Sequence, residues 1–292
     1  MISTRLLGIL GLIFGAFVWG TIWFPYRLLE ANNITGISST LLTYLCAIIL
    51  GLPFVWKKVK ETQWDKHLIW LGMTAGFANL GYVVSILEGE VMRVLLLFYL
   101  APLWTILFSR IFLNEKLNQI GWVVMGLSLC GAMIMLYNPK LGLPLPQTRA
   151  EILAVLAGAF FALSNVISRK IETVNIEGKS LAIWLGVFIV SAITLLFLGK
   201  QPAFVANIFQ LDFKTVLIIG IIGLGLFTNS LTVQFGLSVL PANQAIIILL
   251  SELVFAAISA FLLANEAMQF REWLGGILIV SASVFSGKLE ES

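Results

Sequence analysis

One carboxylate stands out as the group most able to do chemistry in this sequence. Glu252 lies twelve residues into the apolar run 241–263, and it is the only acidic residue near the centre of such a run. A charge at the centre of a bilayer costs roughly 3 kcal/mol, so this group must be protonated, paired or exposed to a wet cavity. Glu252 is therefore either a proton or cation site, or a neutral acid that donates a hydrogen bond to a neighbouring helix.

Polar and aromatic side chains also occur inside other apolar runs, in both halves of the chain. In lipid such groups turn toward other helices, where they either join helices by hydrogen bonds or line a pocket. Joining helices is the simpler role for each residue taken alone. We predict that together they line a substrate pocket, formed by Trp19, Asn79, Tyr82, Tyr99, Trp104, Ser164, Asn165, Trp184 and Asn229.

Pro102 stands in the middle of the apolar run 91–112. Its ring removes the backbone hydrogen bond to residue 98, which favours a kink at this point. Because Tyr99 and Trp104 flank this position, Pro102 is the predicted gate of the pocket.

The residue pattern lacks the marks of several other kinds of site. His67 is the only histidine, and it has neither metal-ligand spacing nor the partners of a catalytic triad. Gly178-Lys179-Ser180 looks like the end of a phosphate-binding loop, but Thr173 occupies the position where that pattern needs glycine. The sequence thus predicts no enzyme activity, no cofactor and no bound metal.

Membrane helices must position these side chains. Of the 292 residues, 59% are hydrophobic and 11% are charged, and the mean hydropathy is +0.99. A helix needs about 20 apolar residues to cross the hydrocarbon of a bilayer. Ten spans of this kind are predicted, at 5–27, 38–57, 67–87, 91–112, 117–137, 151–170, 179–199, 213–235, 241–263 and 271–287.

The chain contains an internal repeat. Residues 114–122 begin with Asn-Glu and end with Trp, and residues 265–273 repeat this frame after a shift of 151 positions. A weaker match pairs Gly15-Ala-Phe17 with Gly158-Ala-Phe160. These matches predict two copies of one five-helix unit.

Two copies of an odd number of helices must enter the membrane from opposite sides. The predicted fold is an all-α integral membrane protein with ten transmembrane helices, arranged as two inverted five-helix repeats at residues 1–147 and 148–292. Inverted repeats are typical of transporters, because two halves that exchange conformations open a central cavity to alternate sides. In each repeated corner, Glu115 and Glu266 are predicted to cap the helix that follows.

Basic residues predict the orientation in the membrane. Eleven Lys and Arg residues fall on the side that holds both termini and seven fall on the other, which predicts that both termini are cytoplasmic.

Cys46 and Cys130 lie inside spans, which favours a role as buried apolar packing residues over a disulfide. The expected partners are a small-molecule substrate and the lipid bilayer. The net charge of +3 requires no nucleic acid, and a monomer satisfies the pattern.

Two segments carry a family resemblance. The first is Val91-Met-Arg-Val-Leu-Leu-Leu-Phe-Tyr-Leu-Ala-Pro-Leu-Trp104, continuing to Leu113-Asn-Glu115, and the second is Ser251-Glu-Leu-Val-Phe-Ala256, running to Asn265-Glu266. They resemble the two domains of the drug/metabolite transporter superfamily, in its EamA-domain family. Arg93 and the Leu-Leu-Phe-Tyr-Leu-x-Pro-x-Trp run look like the branch of bacterial inner-membrane exporters for aromatic amino acids and methyl viologen.

The resemblance implies a central cavity lined mainly by helices 1, 3, 4, 6, 8 and 9 of a ten-helix protein in a bacterial inner membrane. Tyr99, Pro102, Trp104 and Glu252 match the family pattern. Leu253 departs from it, because the superfamily often has proline after the glutamate. A kink is therefore expected less strongly in the ninth span than in the fourth.

We therefore expect a secondary-active or facilitative exporter of small amphipathic metabolites, most of all aromatic amino acids, that works by alternating access. The aromatic side chains would stack on the substrate ring, and Arg93 is expected to steer substrate at the periplasmic mouth. One alternative is a carrier of lipid-linked sugars or nucleotide sugars, which would need more basic residues at cavity depth. Another is a membrane scaffold or receptor, which would show no flux that depends on Glu252.

Overall fold

The structure, a computed structural model, describes residues 3–34, 36–63, 65–89, 91–137, 146–197, 211–264 and 270–286. Thirteen α-helices follow one another in this part of the chain. They are α1 (Thr4–Thr21), α2 (Trp23–Ala31), α3 (Gly36–Lys60), α4 (His67–Glu88), α5 (Val91–Phe98), α6 (Ala101–Phe112), α7 (Gln119–Leu136), α8 (Arg149–Lys170), α9 (Ile176–Phe197), α10 (Phe213–Val239), α11 (Ala242–Leu249), α12 (Glu252–Ala264) and α13 (Phe270–Phe285).

Nine helical segments of the described chain are long and apolar enough to cross a membrane. Three of them combine two consecutive helices, namely α1 with α2, α5 with α6, and α11 with α12. The prediction of an all-helical protein built from membrane-length segments is confirmed. The tenth predicted span corresponds to α13, whose apolar part, Trp273–Phe285, is shorter than the others, so a tenth crossing stays a prediction.

The core lies between the two halves of the chain. The main helix contacts join the N-terminal half, α1–α7, to the C-terminal half, α8–α13. Helix α4 packs on α8 and α9, α3 on α9 and α10, α1 on α10 and α12, and α7 on α13. The buried cluster around Trp184 accordingly takes its side chains from α2, α3, α9 and α10.

Glycines allow α4 and α9 to approach closely. A Cβ atom added at Gly186 of α9 would lie 2.0 Å from the carbonyl oxygen of Gly72 in α4. A Cβ atom added at Gly72 would in turn lie 2.5 Å from the carbonyl oxygen of Ala182. Both obstacles are backbone atoms that no side-chain rotation can remove, so this contact requires glycine on both helices.

Replacing Gly186 with alanine should therefore destabilise the protein. We expect the free energy of unfolding to fall by about 1–3 kcal/mol, because α4 and α9 must separate to admit the methyl group. Thermal unfolding in detergent measures the change. Gly126 of α7 provides a matched control, since nothing lies within 4 Å of a Cβ atom added there. Gly126→Ala should be neutral or stabilising, and an equal loss in both variants would contradict the prediction.

Short polar side chains begin several helices. Ser3, Asn118, Thr148 and Asp212 accept backbone N–H bonds in the first turns of α1, α7, α8 and α10. The prediction that Glu115 caps the helix that follows it is wrong, because Asn118 holds that position with a bond of 2.7 Å from the Gly121 N–H.

Two carboxylates outside the membrane-spanning segments are held in their charged form by caps of this kind. The hydroxyl and backbone N–H of Thr215 hold the pKa of Asp212 below its usual range. The backbone N–H and the ring of His67, at 2.9 and 2.6 Å, lower the pKa of Asp65 in the same way. Because the pKa values of both aspartates are lower in the folded protein than in the unfolded chain, the caps stabilise the fold at any pH above the ordinary pKa of aspartate. This stabilisation is lost as the pH falls through the folded-state pKa values.

Glu115 caps a helix of the other half of the chain. Its two carboxylate oxygens accept the Ala242 N–H at 3.1 and 3.0 Å, and one of them accepts the Asn243 N–H at 3.4 Å. Helix α11 has no side-chain cap of its own, because Pro241 precedes it. The Asn114-Glu115 corner of the N-terminal half is therefore hydrogen-bonded to the start of α11. Its second copy, Asn265-Glu266, lies outside the described residues.

Candidate functional site

Besides the junction of α1 and α2, two membrane-length segments of the described chain are interrupted part-way along. A turn at Tyr99-Leu100 separates α5 from α6, and a turn at Leu250-Ser251 separates α11 from α12. A shift of 151 residues, the spacing of the repeated corner, places one turn on the other. The second turn contains no proline. The ninth predicted span is nevertheless interrupted by a two-residue turn, as the fourth is, although the sequence favours a kink more strongly in the fourth.

The first interruption exposes a backbone carbonyl. Pro102 is buried as the second residue of α6 and has no N–H to donate to Phe98. Helix α8 passes directly beside that carbonyl, since a Cβ atom added at Gly158 would lie 2.5 Å from the Phe98 oxygen. The predicted kink thus takes the form of a two-residue turn between α5 and α6, and a glycine of the other half packs against it.

A hydrogen bond joins the two interruptions. The hydroxyl of Tyr99 donates to Oε1 of Glu252 at 2.7 Å. Tyr99 follows the last turn of α5, while Glu252 is the first residue of α12, where the positive end of the helix dipole favours a negative charge. The bond therefore connects the broken segment of one half to the broken segment of the other, and the carboxylate at its end is a group that can gain or lose a proton.

Aromatic rings surround this pair. The ring of Phe98 lies 5.5 Å from that of Tyr99, edge to face, and 4.9 Å from that of Tyr82. On its other side Phe98 lies 5.7 Å from Phe161 of α8. These rings form a continuous apolar wall beside the Glu252 carboxylate, of the kind that stacks on an aromatic ligand.

A small cavity adjoins the carboxylate. It has room for about one water molecule. In this conformation it is too small for an aromatic amino acid. Its lining residues are Phe98, Tyr99, Ala101, Pro102, Phe161, Ile246, Leu249, Leu250 and Glu252.

A second group of predicted residues gathers around α3. Trp184 is fully buried, with its ring edge-on to Phe227 at 5.7 Å, and Trp19 packs against the same buried cluster. Asn79 joins this group through its Nδ2, which donates to the hydroxyl of Tyr44 at 3.4 Å. Trp104 belongs to neither group in these contacts and stacks on the next turn of its own helix instead.

Several predicted polar residues have unfilled hydrogen-bonding capacity. Nδ2 of Asn165 and Oδ1 of Asn229 and Asn79 are buried without a partner within the described chain. Ser164, by contrast, donates to the carbonyl of Phe161 in its own helix at 2.9 Å. Buried polar atoms normally have partners, so these three amides have hydrogen-bonding capacity that water or the polar group of a ligand can use.

Sequence reasoning missed several residues of these sites. Phe98 and Phe161 carry no local signal, because phenylalanine is common in this chain and fills lipid-facing positions as readily as cavity walls. The predicted span 179–199 begins at Lys179, whereas α9 begins at Ile176 and buries this lysine, which lies outside both groups. The side chain of Arg93 lies outside the described part of the structure.

Comparison with known proteins decides the family. The model of the EamA-like transporter family matches residues 6–137 and again residues 148–287. The chain belongs to the EamA-like transporter family. This EamA-like transporter therefore carries two copies of the family domain, and the predicted resemblance to that family is confirmed. The exporter branch for aromatic amino acids stays a prediction.

Comparison of the fold agrees with this family. One solved structure, described as a crystal structure of a protein, superposes on the EamA-like transporter with a TM-score of 0.73 and 16% sequence identity, covering 97% of each chain. At this identity the likeness shows the fold alone. No curated protein matches the chain significantly. The family match thus indicates a membrane transporter.

Proposed function

We propose that this EamA-like transporter exports small amphipathic metabolites, with aromatic amino acids as the leading substrate class, in exchange for protons carried by Glu252. It works by alternating access in a bacterial inner membrane, with both termini in the cytoplasm. The observation that carries the proposal is the Tyr99–Glu252 hydrogen bond, which spans the two broken segments beside an aromatic wall.

Alternating access requires two halves that can exchange conformations, and several features support an inverted repeat. The two interruptions lie 151 residues apart. The interfaces correspond as well: α4 packs on α8 as α10 packs on α1, and α4 packs on α9 as α10 packs on α3. Gly72 and Gly223 are also 151 residues apart, and they face α9 and α3 respectively. Exchanging the halves therefore preserves the pattern of contacts.

The position of Glu252 supports the proposed proton coupling. When Glu252 is ionised, the Tyr99 hydroxyl donates a charge-assisted hydrogen bond, which is roughly twice as strong as a neutral one. Protonation weakens this link between the two broken segments and removes the charge from apolar surroundings. The proton thus biases the equilibrium between the two conformations, as coupling requires.

The surrounding side chains support the proposed substrate class. The rings of Tyr82, Phe98 and Phe161 suit an aromatic group, and the unpartnered amides of Asn165 and Asn229 suit the polar end of an amino acid. Because the cavity in this conformation holds only about one water, substrate enters after the halves have moved.

Flux in proteoliposomes tests the proposal. We expect labelled phenylalanine, tyrosine or tryptophan to cross faster than in empty liposomes, and an opposing proton gradient to drive their accumulation. Leucine and glutamate serve as matched non-aromatic substrates. Flux of nucleotide sugars or lipid-linked sugars alone would favour a sugar carrier, and no flux of any class would favour a scaffold or receptor. Either result would overturn the proposal.

A further inference from the structure

Lys179 is a buried cation outside the Tyr99–Glu252 site. Its side chain lies one turn inside α9 and is 1% exposed, and it is the only Lys or Arg among the buried residues of the described chain. Its Nζ donates to the carbonyl oxygen of Ser168 at 2.8 Å, and no carboxylate of the described residues lies within ion-pair distance. A buried ammonium group has three donors, so this one retains capacity for an anion.

Lys179 lies where three helices meet, at the C-terminal ends of α8 and α10 and the N-terminal end of α9. Ser168 of α8 donates through its hydroxyl to the side chain of Gln234 in α10. Next to it, Arg169 donates to the carbonyl of Ser238 in α10 at 3.0 Å. These two bonds join α8 to α10, and we call this contact between the two helices the α8–α10 seam.

Polar side chains continue along α8 from the α8–α10 seam toward the cavity beside Glu252. Phe161, Asn165 and Ser168 are spaced four and three residues apart on α8, so they share one face. The seven residues from the cavity lining at Phe161 to the Lys179 contact at Ser168 cover about 10 Å of helix. Between them, Nδ2 of Asn165 is buried without a partner, and so is Oγ of Ser230, one turn before Gln234 on α10.

A purely structural role for Lys179 would be to cap the last turn of α8, where a cation is favoured by the helix dipole. The repeat argues that the fold does not need it. In this part of the chain the repeat pairs Gly15 with Gly158, a shift of 143 positions, and the same shift places Lys179 on Gly36 at the start of α3. The first half of the chain therefore has no lysine at the matching place. Capping also uses only one of the three donors of the Lys179 ammonium group. It does not explain why Nδ2 of Asn165 and Oγ of Ser230, which lie toward the cavity, have no partner.

We propose that Lys179 binds the carboxylate of the substrate at the cytoplasmic end of the α8–α10 seam, and that Asn165 receives it on the way to the central cavity. The inference rests on the proposed function and on the cytoplasmic placement of the termini. It assigns the substrate class as small molecules with a free carboxylate. The central site lacks a cation of its own, because Glu252 is the only charged residue among those that line the cavity. A carboxylate that leaves water needs a paired charge, and Lys179 supplies it.

The test compares phenylalanine with phenylalaninamide, which lacks the carboxylate. In the native protein, unlabelled phenylalanine should inhibit labelled phenylalanine flux at least about tenfold more strongly than the amide does. Lys179→Gln should raise KM for phenylalanine about tenfold or more, and it should erase the difference between acid and amide. Lys179→Arg, which keeps the charge, should restore most of that difference. Lys57→Gln, at an exposed lysine of α3, serves as the matched control and should leave KM unchanged.

The outcomes separate the inference from the proposed function. Absence of amino-acid flux in the native protein would overturn both. Flux with equal inhibition by acid and amide in the native protein would overturn the inference alone, and this comparison needs no variant to fold. Flux in Lys179→Gln with an unchanged KM would do the same, with size-exclusion chromatography in detergent showing that the variant is folded.

Discussion

Glu252→Gln is expected to abolish proton-driven flux and to leave the protein folded. The glutamine side chain has nearly the same volume and still accepts the hydrogen bond from Tyr99, but it cannot carry a proton between the two sides of the membrane. Accumulation of a labelled aromatic amino acid against its gradient should fall to the level of empty liposomes. Exchange of labelled for unlabelled substrate, which needs no net proton movement, should persist.

Two further variants make this experiment decisive. Glu30→Gln, at an exposed acid of α2, should behave as the native protein does. Tyr99→Phe should keep the coupling but weaken it, because it removes the donor and leaves the carboxylate in place. If Glu252→Gln still accumulates substrate under a proton gradient, Glu252 is a structural acid and the protein is not coupled through it.

Glu115→Ala is expected to destabilise the whole protein, although the residue lies in a short connection between helices. The substitution leaves the N–H groups of Ala242 and Asn243 without acceptors at the start of a buried helix. Losing the cap and stranding these donors should lower the free energy of unfolding by about 2–4 kcal/mol. Thermal unfolding in detergent, followed by fluorescence of the tryptophans, measures the loss.

The control for this variant is its exposed neighbour, Lys116. Lys116→Ala should leave the unfolding temperature unchanged, while Glu115→Gln, which keeps one oxygen acceptor, should lose less than Glu115→Ala. Equal stability of Glu115→Ala and the native protein would show that the cap across the two halves contributes nothing.

The membrane-length helices could be predicted from the sequence because their cause is local. A run such as 213–235 must be helical in lipid, where only a helix satisfies every backbone group within one segment. Pro102 carries a local signal of the same kind, and a break occurs beside it. The break at Leu250-Ser251 has no proline, and its local feature is the bond from the Ser251 hydroxyl to the carbonyl of Ile248, which is a much weaker signal in a sequence.

The candidate site depends on contacts between distant parts of the chain, which local patterns do not show. Tyr99 and Glu252 are 153 residues apart, and each was predicted separately from its chemistry, whereas their hydrogen bond needs the fold. Glu115 was expected to act on the next helix because capping is usually local. Its carboxylate instead reaches α11, 127 residues away, because the two halves pack around each other.

That mutual packing has a consequence for how the protein is made. The helices of the N-terminal half emerge from the ribosome before those they pack on, since α4 waits for α8 and α9, and α1 waits for α10. Until then the glycine face of α4 and the carboxylate of Glu115 have no partner. The first half must therefore be inserted and held in the membrane as loosely associated helices, and its final structure is reached only when α12 and α13, on which α1 and α7 pack, have also been synthesised.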